Sequence, residues 1–143
     1  MALRTGIKLL IPVEDIPDAD AAFYRVHWNF VRTAGGKLGP NCFRDPTGYG
    51  MSTDWSKYKT PQQTRLANGA EKAINYGVTG LQIGRVRQVE RLTVVHAPTD
   101  DNDAHTHVLG LATDDELRTI QRVELYEACD RKWLIAPMSP VTA

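Results

Sequence analysis

The chain has few cysteines, no net charge and no long apolar run, and each shortage excludes a class of protein. Its two cysteines, Cys42 and Cys129, form no CxxC pattern, so neither a disulfide framework nor a cysteine-based zinc site is expected. Lysine plus arginine and aspartate plus glutamate both total 17, which removes the overall basic charge of a strong nucleic-acid binder. Lys8 and Pro12 break the only apolar run near the start, so neither a membrane span nor a signal peptide is predicted.

The remaining composition is that of an ordinary globular domain. Hydrophobic residues make up 42% and charged residues 24% of the 143 residues. This length suits one domain with its own core, so residues 1–143 are expected to form a single domain. The unpaired cysteines favour a cytoplasmic location, and no motif predicts a cofactor.

Short β-rich segments recur along the chain. The first predicted strand is residues 7–11, and the most aromatic one is residues 23–31. A short strand is predicted at residues 50–54, and two or three more within residues 78–95, where Arg85 and Arg87 would share an outer face of the sheet.

Two longer segments carry helix signals. Thr60, Pro61 and Gln63 form a helix start with a capping box, and Gly77 is the predicted stop. A second capping box at residues 113–116 begins a helix that is predicted to run to about Asp130. The predicted apolar positions are Leu66, Ala70, Ala73 and Ile74 in the first helix, and Leu117, Ile120, Val123, Leu125 and Ala128 in the second. The expected fold is therefore α+β, a mainly antiparallel sheet of short strands with two principal helices packed on one side.

The segment from residue 102 to residue 111 combines a strand signal with side chains capable of chemistry. If it is a strand, His105 and His107 share one face, and Thr106 and Val108 share the other. Two imidazoles side by side can act as acid and base, or can hold a metal together with Asp103. A polar strand edge without either role is the third interpretation.

The aromatic segment at residues 23–31 predicts a second polar face. Arg25 and His27 would share this face, and together they can bind an anion, because arginine offers a fork of donors and histidine can add a proton. The opposite face would be apolar, with Tyr24, Trp28 and Phe30 on it. A half-exposed edge strand is the alternative.

Several short motifs, in their order along the chain, resemble a family of small, uncharacterised bacterial proteins. They include an aromatic stretch ending in His27, a short segment containing Phe43, a strand containing Ser52, an Ala-His element at His105 and an Arg-x-Trp-Leu-x-x-Pro ending at residues 131–137. The resemblance covers roughly residues 23–137 and implies that His27, Phe43, Ser52 and His105 are recurrent positions. It implies no particular activity. Where the family pattern has Ser or Gln before the phenylalanine, this chain has Asn41 and Cys42.

These patterns support three hypotheses about function. The first is an intracellular bacterial binding, adaptor or immunity-type module that contacts a protein partner through Tyr24, Trp28 and Phe30. The second is a metal-independent phosphoesterase or ribonuclease-like enzyme acting on a nucleotide or RNA phosphate. Its catalytic residues would be His27, His105 and Ser52, and its anion-binding residues Arg25 and Arg44. The third is a metal-dependent hydrolase that uses Asp103, His105 and His107.

The two enzyme hypotheses and the binding hypothesis differ in geometry. A two-histidine enzyme needs His27 and His105 to line one concave pocket. A binding module needs an exposed aromatic patch instead.

Overall fold

A computed structural model describes residues 10–140 of the chain, apart from the side chain at position 68. Most of the strand predicted at residues 7–11 therefore lies outside the described residues. Leu10 and Ile11, which are described, are not in a strand.

Five antiparallel strands form one sheet. They are β1 (Ala21–His27), β2 (Met51–Trp55), β3 (Tyr76–Gln82), β4 (Thr93–His96) and β5 (His105–Leu109). The strands lie in the order β3-β1-β2-β5-β4, and every neighbouring pair is antiparallel. The α+β class and the antiparallel sheet of short strands are thus confirmed.

The helices of the described residues are short apart from the last. They are α1 (Pro61–Arg65), α2 (Ala70–Ala73), α3 (Ile83–Arg87) and α4 (Asp115–Ala128). Single 3-10 turns occupy Trp28–Phe30, Arg32–Ala34, Pro40–Cys42 and Leu66–Asn68. Within residues 10–140, no helix is both long enough and apolar enough to cross a membrane.

The start of the first predicted helix is confirmed, but its length is wrong. Thr60 and Gln63 form the reciprocal capping box at the start of α1. The chain then leaves the helix, because Gly69 adopts a φ of 93°, which an α-helix cannot contain. Leu66 and Ile74 are consequently exposed rather than aligned on one buried face.

Two predicted strand regions also change at their ends. Residues 83–87 form α3 instead of a strand, because Gln82 caps this helix and Ile83 and Val86, three residues apart, are both fully buried. Residues 28–30 leave β1 as a 3-10 turn, which the side chain of His27 caps. The predicted strand at residues 23–31 is therefore shorter than expected and starts earlier.

The two faces of the sheet have different surroundings. One face carries the main core, in which Tyr24, Trp55 and Val108 pack with Ile83 of α3 and Leu125 of α4. We call the opposite face the second face of the sheet. It carries the alternate residues of the same strands, and α1 packs on it against β1 and β3. The main core thus fixes which side chains of β1, β2 and β5 point away from it.

The helix α4 is held to the sheet by a polar residue that its apolar pattern does not indicate. Asp114 caps the helix, one residue later than predicted. Ile120 and Val123 are exposed, whereas Gln121 is fully buried. The Gln121 amide accepts a hydrogen bond from the Ala112 N–H (2.7 Å) and donates to the carbonyls of Glu90 (2.9 Å) and Gly110 (3.0 Å).

Gln121→Leu is expected to lower the free energy of unfolding by about 2–4 kcal/mol, because it leaves three backbone groups without partners. Chemical denaturation measures this loss. Gln62→Leu, at an exposed position of α1, is the matched control and should change stability by less than about 0.5 kcal/mol. Equal stability of the two variants would contradict the bridging role of Gln121.

Candidate functional site

The second face of the sheet brings polar side chains from three strands together. Asp54 of β2 lies between Phe23 of β1 and His105 of β5, and Ser52 lies opposite His107. His105 and His107 share this face, while Thr106 and Val108 are buried on the other, as the sequence predicts. The alternation of β2 places Ser52 and Asp54 on one side for the same reason.

A cleft of about 230 Å³ opens over this face. It is lined by Phe23, Arg25, Ser52, Thr53, Asp54, Thr64, Ala67, Asn102 and His105. Three of the predicted site residues, Arg25, Ser52 and His105, therefore meet in one concavity. We call this concavity the histidine cleft.

Two residues that line the histidine cleft, Arg25 and Thr64, each carry a buried polar atom without a partner in the described part of the chain. Among the described residues, neither the Nη1 atom of Arg25 nor the Thr64 hydroxyl makes a hydrogen bond, although both atoms are buried. The Arg25 guanidinium also lies over the Tyr76 ring, 4.8 Å from its centroid. Because leaving a buried donor unpaired is costly, this arrangement is typical of a site that receives an acceptor from a ligand.

His105 is oriented by a backbone contact. Its Nδ1 atom lies 3.0 Å from the carbonyl oxygen of Ala97. A carbonyl can only accept a hydrogen bond, so Nδ1 carries the proton and Nε2 of the neutral ring keeps its lone pair. His105 is therefore held in the tautomer in which Nε2 can accept a proton from a ligand.

Asp54 is a buried carboxylate with two partners. It is 7% exposed, and it accepts a hydrogen bond from the Asn102 side-chain amide at 2.9 Å. Its other oxygen lies 3.5 Å from the Lys59 ammonium group. The sequence patterns do not single out Asp54, Thr64 or Asn102, although Asp54 shares the face of Ser52 in a predicted strand, and this alternation is a signal that indicates it.

Ser52 and Arg25 also border a neighbouring depression of similar size. This depression is lined by Tyr24, Arg25, Arg44, Pro46, Thr47, Gly50 and Ser52. The two predicted anion-binding arginines, Arg25 and Arg44, thus lie around one depression, but only Arg25 reaches the histidine cleft.

His27 does not line the histidine cleft. It is the last residue of β1, where its Nδ1 accepts a hydrogen bond from the Asn29 N–H at 3.0 Å and its ring packs edge-on against Tyr76. These contacts give His27 a structural role at the start of the 3-10 turn. The predicted pairing of His27 with His105 in one pocket is therefore not supported.

The rings of His105 and His107 are neighbours, with centroids 4.6 Å apart. Burial, followed by the nearby His105 ring, lowers the pKa of His107. In residues 10–140, no group of three or more histidine, cysteine, aspartate or glutamate side chains is placed to hold a metal ion. The predicted ligand set of Asp103, His105 and His107 therefore does not converge.

The predicted contact surface of Tyr24, Trp28 and Phe30 is largely covered. Tyr24 is buried; its hydroxyl donates to the Cys42 carbonyl (2.8 Å), and burial raises its pKa. Trp28 is partly buried against the core, and Phe30, at 52% exposed, is the most accessible of the three. Even Phe30 has the Arg44 guanidinium over its ring. Of the three predicted contact residues, one is therefore well exposed.

Comparison with known proteins adds no assignment. The chain matches no family model, no curated protein and no solved structure.

Proposed function

We propose that the histidine cleft binds a phosphoester or a similar oxyanion and acts on it with His105 as the proton acceptor. The observation that carries the proposal is that Arg25 and Thr64, which line the same cleft as His105, each have a buried polar atom without a hydrogen-bond partner among the described residues. A phosphoryl group, with its several acceptor oxygens, would supply a partner to each donor. Arginine suits this role because its planar fork matches phosphate geometry.

The proposed reaction is hydrolysis of a phosphoester. Nε2 of His105 accepts the proton of the attacking water as the new oxygen–phosphorus bond forms. Arg25 neutralises the charge that grows on the non-bridging oxygens, and the departing alkoxide takes a proton from water. Ser52 and Thr64 supply hydroxyls that orient the phosphoryl group, and Asp54 holds the amide of Asn102, which also lines the cleft.

His105→Gln is expected to lower kcat for a chromogenic phosphoester by about 10²–10⁴-fold, because glutamine keeps the polarity but cannot accept the proton. Steady-state kinetics on purified protein measures this. His27→Asn, which keeps an acceptor at the turn, is the matched control and should retain kcat within twofold. A His105→Gln variant with unchanged kcat would refute the proposed role of His105.

We also propose that the protein acts in the cytoplasm. Cys42 and Cys129 are buried free thiols, which supports a reducing compartment such as the cytoplasm. We further propose that the chain is related to the family of small bacterial proteins that its short motifs resemble. A protein partner is the weaker proposal, since Phe30 alone of its predicted contact residues is well exposed.

A further inference from the structure

A second cleft, of about 410 Å³, lies between residues 44–50 and the start of α4. It shares no lining residue with the histidine cleft. Three arginines line it, Arg44 from the loop and Arg118 and Arg122 from α4. We call it the arginine cleft. Because the net charge of the chain is zero, three guanidinium groups around one concavity are a local concentration of positive charge.

In two of the three guanidinium groups, those of Arg44 and Arg122, both terminal nitrogens are without a hydrogen bond among the described residues. Nε of Arg122 donates to the Phe43 carbonyl at 2.8 Å, and Nε of Arg44 donates to the Asn41 carbonyl at 3.1 Å. Among the described residues, the terminal nitrogens of these two arginines make no hydrogen bond. The Nε contacts therefore anchor each side chain and leave its pair of Nη groups available for a ligand.

Two carboxylates stand close to these arginines, Asp45 in the lining of the arginine cleft and Asp115 beside Arg118, and both already have partners. Asp115 pairs with Arg118, whose Nη1 also donates to the Thr113 carbonyl at 3.1 Å. Asp45 accepts hydrogen bonds from the N–H groups of Gly48 and Gly50, both at 2.9 Å. Arg44 and Arg122 thus have no carboxylate partner among the described residues.

The arginines of this cleft repel one another. The pKa of Arg122 is lowered by burial first and then by the charges of Arg118 and Arg44. Tyr24 and Asp115 offset only part of this effect. An anion placed between the arginines would relieve the repulsion.

We propose that the arginine cleft is a second anion-binding site, which takes a diphosphate group with Arg44 and Arg122 as its two forks. Two separate forks favour two linked phosphoryl groups over one, because each guanidinium can hold one phosphoryl group bidentately. The diphosphate is either free pyrophosphate or part of a nucleotide. This site is independent of the chemistry proposed for the histidine cleft.

The test is titration of the whole protein with pyrophosphate, followed by amide NMR shifts and by calorimetry. The Gly48 and Thr113 amides, which border the arginine cleft, are expected to shift. Arg44→Gln should weaken pyrophosphate binding by at least about tenfold. Arg44 is exposed, and its side chain contacts the nearby Asn41 carbonyl and the Phe30 ring at the surface, so the variant is expected to fold. The exposed Arg32→Gln is the matched control and should bind as the wild type does.

The outcomes separate the sources of the ligand and the two sites. Equal affinity for pyrophosphate and ADP indicates that the diphosphate alone is recognised, and tighter ADP binding indicates a nucleotide. Shifts at His105 instead of Gly48 and Thr113 would assign pyrophosphate to the histidine cleft and overturn this proposal. An equal loss of affinity in Arg44→Gln and Arg32→Gln would also overturn it, because that result would mean non-specific attraction.

Discussion

Gly110→Ala is expected to destabilise the protein by more than about 4 kcal/mol, a loss comparable with the whole stability of many small domains. Gly110 follows β5 with a φ of 103°, and a Cβ atom built there would lie 1.9 Å from the Arg91 carbonyl oxygen. That oxygen belongs to the backbone, so a side-chain movement cannot relieve the clash. Chemical denaturation, or loss of soluble protein on expression, measures the effect.

Gly39→Ala is the matched control for this substitution. Gly39 has a φ of −150°, and no atom lies within 4 Å of its added Cβ. We expect a change of less than about 0.5 kcal/mol there. Near-equal stability of the Gly110→Ala and Gly39→Ala variants would show that the backbone beside β5 is looser than described.

Arg25→Gln is expected to weaken phosphate binding to the histidine cleft by about 10–100-fold, because hydrogen bonds to a charged partner contribute about 1.5–3 kcal/mol. The affinity should be read from the shift of the His105 ring signals during a phosphate titration. This readout is specific to the histidine cleft and is insensitive to phosphate bound by the arginine cleft.

The stability of Arg25→Gln distinguishes a binding role from a structural role. Nη1 of Arg25 makes no hydrogen bond among the described residues, so the fold loses chiefly its contact with the Tyr76 ring. We expect the free energy of unfolding to change by less than about 1 kcal/mol. The control is Arg32→Gln, which should leave the His105 titration unchanged. Unaltered phosphate affinity in Arg25→Gln would contradict the proposed anion site.

Local signals in the sequence were sufficient to predict some elements of the fold. The alternation in β5 correctly placed His105 and His107 on one face, and the capping box at Thr60 correctly started α1. These features depend on neighbours within a few residues. The sequence therefore predicts them without knowledge of the tertiary fold.

Other elements depended on contacts between distant residues. Gln121 is buried on α4 because it reaches backbone groups of residues 90, 110 and 112, which no helical pattern reveals. The histidine cleft contains His105 but not His27, which ends β1 and packs its ring edge-on against Tyr76 of β3. Which polar residues share a cleft is decided by strand order and register.

The candidate site was accordingly predicted in part. Arg25, Ser52 and His105 were named from their own chemistry, and the register of β2 with β5 brought two of them together. Thr64 entered the site because α1 packs over the second face of the sheet. A single sequence does not predict this packing, since the capping signals of α1 indicate where the helix starts but not which face it covers.

The central claim is that the histidine cleft binds an oxyanion next to His105. The most direct measurement is a histidine NMR titration of the whole protein against pH, with and without inorganic phosphate. We predict that phosphate shifts the ring signals of His105, because the bound anion lies against that ring, and leaves the signals of His27 and His96 in place. Unchanged His105 signals at saturating phosphate, or equal shifts at all four histidines, would contradict the account.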